Sequence, residues 1–178
     1  MRQYIHTKPF LASAAINGIL FLLFLGIFYT RYGTTDDVEM QMVLAGKGVL
    51  QEPSAHLRWT HLFIGQILST LYTWLPSLPW YGWYLTLAHF LGMTAMLYSI
   101  LVIKASWYRV AVFAMCFLLG ETALLQELQY TSATLVLEMG AVFLLFLAIT
   151  QADNALKKRW YGFAFAMLIF GAMMRWDA

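Results

Sequence analysis

Apolar residues recur in five blocks, at about 9–30, 81–103, 109–127, 132–150 and 160–175. A spanning helix needs about 20 mainly apolar residues, because each adds about 1.5 Å across a hydrocarbon core of about 30 Å. Short polar breaks separate the last four blocks. The pattern therefore predicts an all-α, polytopic transmembrane helix bundle of about five spans, a single domain over 1–178. No internal repeat, low-complexity tract or second domain interrupts it.

The first connection, 31–80, is long and reads as an external loop carrying amphipathic, interfacial helices. Asp36 and Glu39 resemble a capping arrangement, after which Val38 to Ala45 can form a short helix ended by Gly46-Lys47-Gly48. Trp59 to Leu75 is a second helix. Its 17 positions would cover roughly 25 Å, short of a full span. Arg58, His61, Gly65, Ser69 and Thr73 line one side at three- and four-residue steps. That stripe predicts a helix lying in the interface and roofing a cavity beneath the loop. Pro76 and Pro79 then end it.

Charge placement orients the bundle. With 59–75 outside the membrane and a cytoplasmic N-terminus, Arg2, Lys8, Lys104, Arg109, Lys157, Lys158 and Arg159 lie inside. Arg31, Lys47, Arg58 and Arg175 lie outside, a positive-inside arrangement. A six-span alternative, with the N-terminus outside, satisfies the same rule. The length and stripe of 59–75 favour five.

Composition agrees with the pattern. Hydrophobic residues make up 61% of the chain and charged residues 11%, against about 25% charged in soluble domains. So little charge cannot cover a water-facing surface, which makes this an integral membrane protein. The first block is too long for a signal-peptide core and lacks a small-residue cleavage site, so it is expected to stay as an anchor. Cys116 lies in an apolar run and reads as a small hydrophobe. Nucleotide-binding glycine loops, zinc-type Cys/His spacing and basic stripes for nucleic acid are all missing from the sequence.

Against this background the few charges carry the candidate chemistry. Asp36-Asp37 opens the external loop. Two adjacent carboxylates repel unless a cation or basic group neutralises them, so the pair can bind a divalent cation such as Mg or Mn, serve as a base, or simply cap a helix. Glu127 falls on the same side, in the polar turn Gln126 to Ser132. Arg58 and Arg175 are candidate phosphate contacts, since a guanidinium matches two phosphate oxygens. His56 and His61 flank Arg58 as further binding candidates. Arg175-Trp176-Asp177 closes the chain on the outer side. Glu121 and Glu138 read as buried, hydrogen-bonded carboxyls, and Asn17 and His89 as polar helix contacts. Ala14-x-x-x-Gly18 and Ala88-x-x-x-Gly92 permit close helix packing.

Tyr32-Gly33-Thr34-Thr35-Asp36-Asp37, Trp59 to Tyr72, Pro79-Trp80-Tyr81 and Leu125 to Thr131 together resemble the GT-C superfamily of membrane glycosyltransferases. The resemblance implies transfer of a sugar from a polyprenyl-phosphate donor on the non-cytoplasmic face, in a cell-envelope setting such as the bacterial plasma (inner) membrane. Asp36 or Asp37 would be the base or metal ligand of the first loop, and Glu127 the second acid. The partners implied are the bilayer, a lipid-linked sugar and a further subunit. Val38-Glu39-Met40 departs from the commoner acidic-x-x-Tyr form. Such enzymes also have more spans and often a C-terminal soluble domain. The chain is accordingly expected to be the N-terminal module of a longer enzyme, a truncated product or a relative needing a partner. Two other classes fit the pattern: a small-molecule-binding membrane subunit of a transporter, and a non-catalytic structural membrane subunit.

Overall fold

The computed structural model describes residues 8–48 and 51–176. Arg2 and Asp177, used in the sequence reading, lie outside the described residues.

Seven helices and one short strand pair make up the described chain. Helix α1 (Pro9–Ile27) opens on proline, whose fixed φ and missing N–H suit a first turn. The strand β1 (Arg31–Tyr32) leads into α2 (Thr35–Leu44). An irregular segment then reaches α3 (Leu62–Trp74), followed by α4 (Trp80–Ile103). Helix α5 (Trp107–Gln126) contains a π-helical turn, Phe117–Glu121. β2 (Glu127–Leu128) precedes α6 (Tyr130–Thr150) and α7 (Asn154–Met174).

Helices α1, α4, α5 and α6 are long and apolar enough to cross a membrane. The fifth expected span is a helix, α7, but it is not among the four long and apolar enough to cross. Its opening turns carry Lys157, Lys158 and Arg159, so its uncharged part, from Trp160, rises only roughly 22 Å. Helix α3 has 13 residues, about 20 Å, too short to cross. It buries Ile64, Gly65, Leu68 and Tyr72, while Phe63, Ile67 and Trp74 stay exposed beside Gln66, Thr70 and Thr73.

The expected end of α2 is observed. Gly46 and Gly48 have φ of 63° and 80°. The Lys47 N–H bonds the Met42 carbonyl and the Gly46 N–H the Val43 carbonyl, closing the helix with a left-handed glycine. The start of α2 differs from expectation. Its cap is Thr34, not Asp36: the Thr34 side chain accepts the Asp37 N–H at 3.3 Å and donates to the Asp37 carboxylate. Thr34 lies in extended backbone, which a cap requires, whereas Asp36 is already inside the first turn.

Helix α4 is the spine, packing on both α1 and α6, while α7 packs on α6 and also meets α4 through the Tyr84–Phe170 and Tyr98–Trp160 ring pairs. A side chain at Gly92 would strike the Val136 carbonyl, and one at Gly140 the Gly92 backbone. The two helices thus meet backbone to backbone, as the Ala88/Gly92 spacing predicts. Gly18 behaves otherwise: a Cβ there meets nothing within 4 Å. Helix α1 joins α4 instead through Asn17, which donates to the Phe90 carbonyl at 3.1 Å and to Thr94 Oγ1 at 2.9 Å.

Candidate functional site

All the loop elements gather at one end of the bundle. Parallel pairing sets Arg31 beside Glu127 and Tyr32 beside Leu128. The Gly33 N–H continues the pairing to the Leu128 carbonyl at 2.9 Å. Any side chain at Gly33 would collide with Gln129. Nearby, the segment before α3 pairs with the end of α7. The His61 N–H bonds the Met173 carbonyl at 2.8 Å, Thr60 Oγ1 the Met174 carbonyl at 3.2 Å, and the Trp176 N–H the Trp59 carbonyl at 2.7 Å.

Asp37 sits at the centre and is fully buried. Its Oδ1 accepts the Tyr81 hydroxyl at 2.8 Å and the Tyr130 N–H at 3.0 Å, while Oδ2 accepts the Thr34 hydroxyl. One carboxylate therefore ties α2 to α4 and to the start of α6. Burial pushes it above the usual carboxylate range. The three hydrogen bonds favour the charged form and pull it back, and neighbouring Asp36 adds to the rise. Burial, with Tyr72 and Asp37 nearby, likewise raises the Tyr32 phenol.

Asp36 points elsewhere. It is half-buried and lines a cleft of about 130 Å3 with Glu39, His56, Arg58 and Trp59. The Arg58 guanidinium lies 4.7 Å from the centre of the Trp59 ring and makes no ion pair among the described residues. The two aspartates thus sit in different surroundings, one in the core and one in a cleft. Both oxygens of Asp37 are turned to protein donors in the core. Among the described residues no group of three or more His, Cys, Asp or Glu is arranged to hold a metal ion. The pair does not fit a two-carboxylate ligand set for Mg or Mn.

The other candidates share this end of the bundle without sharing one cleft. Glu127 forms an exposed ion pair with Arg31 and lines a depression of about 510 Å3 with Tyr29 and Gln126. Arg175 lines another, of about 440 Å3, with Gln129, Ser132, Thr134 and Glu138. Glu138, expected to be buried, is half-buried at that rim, and its side chain covers Gly171. His61 caps α3, its Nδ1 accepting the Phe63 N–H at 3.2 Å, and its ring meets Trp176 edge-on. His56 is exposed in the Asp36 cleft and in an adjoining depression.

Two arrangements escaped the sequence reading. Tyr81 is one, a phenol in the aromatic start of α4 that nothing in the sequence sets apart from Tyr84. The pairing of Glu121 with His89 is the other. The π-helical turn brings Glu121 Oε1 to 2.7 Å from His89 Nδ1, and both side chains are buried. The Nε2 of His89 has no hydrogen-bond partner among the described residues.

The four long apolar helices make this a polytopic α-helical integral membrane protein, with a hydrogen-bonded loop module at one end. Comparison with known protein families, curated proteins and solved structures gives no match to this chain.

Proposed function

We propose that this chain is the membrane module of a GT-C-like glycosyltransferase, moving a sugar from a polyprenyl-phosphate donor to a hydroxyl acceptor. The observation that supports this most is the division of labour between the aspartates. Asp37 locks the loop module to the bundle, which leaves Asp36 in a cleft beside Arg58, a guanidinium with no ion pair among the described residues. In this reading Asp36 takes the proton from the acceptor hydroxyl. The acceptor oxygen bonds the anomeric carbon, and the bond from that carbon to the phosphate oxygen breaks. The lipid phosphate leaves with the electron pair. Arg58 meets the charge that develops on it, with His56 beside it. Glu127 and Arg175, in neighbouring depressions, hold the more distant parts of the substrates. No step runs through a metal, because the aspartates do not fit as joint ligands. In this reading the N-terminus faces the cytoplasm of a bacterial inner membrane, and the loop module faces outward.

The test is sugar transfer from a polyprenyl-phosphate donor in membranes carrying the full-length gene product. Asp36→Asn should lose transfer by at least about a hundredfold, the usual size of a general-base contribution. Asp37→Asn should retain most of it, since an amide keeps the Oδ1 acceptor. Full transfer by Asp36→Asn would remove the proposed base and favour the small-molecule-binding subunit.

A further inference from the structure

Helices α4, α5 and α6 frame a groove of about 590 Å3. Met93, Met96, Val112, Phe113, Met139 and Phe143 give it an apolar wall. Its volume falls within the roughly 300–1,000 Å3 of ligand pockets. The two ends differ. One reaches Tyr108 and Arg109 in the first turn of α5, and the other reaches Gly120 and Glu121 in the π-helical turn. From Arg109 to Glu121 the helix rises about 18 Å, a length suited to a hydrocarbon chain.

The Arg109 end is cationic. Arg109 Nη1 donates to the Ile100 carbonyl at 3.2 Å, and no carboxylate pairs with the guanidinium among the described residues. Lys104 follows α4 at this end, and Lys157, Lys158 and Arg159 stand in the opening turns of α7. The acid here among the described residues is Asp153, which accepts the first N–H groups of α7. At the other end Glu121 is already held by His89 and requires nothing from a ligand. Gly120 faces open space, with nothing within 4 Å of a Cβ built there.

We propose that the groove is a binding site for one anionic phospholipid, its phosphate against Arg109 and one acyl chain along α5 between α4 and α6. The apolar wall takes a chain of either lipid charge. Arg109, the cation that lines the groove, selects the anionic headgroup, contributing about 1 kcal/mol near a membrane surface, or about fivefold in affinity. The Arg109 end of this site lies at the opposite end of the bundle from the Asp36 cleft, and the proposal stands whether or not that cleft transfers sugar.

Native mass spectrometry of the detergent-solubilised full chain tests it, after incubation with phosphatidylglycerol or phosphatidylcholine bearing the same acyl chains. Wild type should retain one phosphatidylglycerol about fivefold better than phosphatidylcholine. Arg109→Gln should level that preference. Gly120→Leu should fill the groove from an open position and lose both lipids, with helical circular dichroism unchanged. Should Arg109→Gln not fold, salt decides: a wild-type preference that fades at high salt supports the site. Equal retention of the two lipids by wild type, unchanged retention by both folded variants, or a salt-independent preference overturns it.

Discussion

At the scale of single residues, Asp37 carries the most structural weight. Truncating it to alanine leaves the Tyr81 hydroxyl and the Tyr130 N–H without their acceptor. Each orphaned buried donor costs about 1–3 kcal/mol. Asp37→Ala should therefore lower the melting temperature in detergent far more than Asp37→Asn, whose amide oxygen still accepts both. The pH dependence follows from the raised carboxyl. Because the folded protein holds this proton more tightly than the unfolded chain, its contribution is full below the ordinary carboxylate range. That contribution is lost as pH rises through the raised native value. Melting measured from acid to neutral pH should show wild type losing stability relative to Asp37→Asn as pH increases. A constant difference would mean that the carboxyl is not perturbed.

At the scale of elements, the π-helical turn of α5 and the α4–α6 contact each rest on few residues. His89→Leu alone leaves the buried Glu121 carboxyl without its hydrogen-bond partner, which costs about 1–3 kcal/mol. The double variant His89→Leu with Glu121→Leu removes both polar groups and should recover much of that loss. A thermal double-mutant cycle measures the coupling, and additive losses would show that the pair contributes no coupling. For α4 and α6, Gly92→Leu should prevent close approach and unfold the bundle, because Val136 backbone atoms occupy the space. Gly18→Leu, in open surroundings on α1, should leave stability near wild type. Size-exclusion profiles of the two variants distinguish these outcomes.

At the scale of the whole molecule, the proposed orientation makes one clear prediction. Cysteines placed at 47 and 157 should label from outside only at 47. Labelling at 157 and not 47 would invert the bundle and move the loop module into the cytoplasm.

The sequence by itself determined the class of protein and most of its elements. Long uncharged runs must leave water, and a helix is the form in which each can satisfy its own backbone. The Gly46-Lys47-Gly48 stop and the short α3 were legible because their causes are local: left-handed glycine, proline and length. What faces what was decided only by the tertiary structure. Asp36 and Asp37 are neighbours in the chain with the same charge, and only packing sends one into the core and the other to a cleft. Asp37 meets Tyr130 across 93 positions, and His89 meets Glu121 across 32. Such pairings leave no periodic trace. Glu121 is legible as a charge within the apolar run of α5, but the π-helical turn that brings it to His89 is visible only once α4 lies beside it.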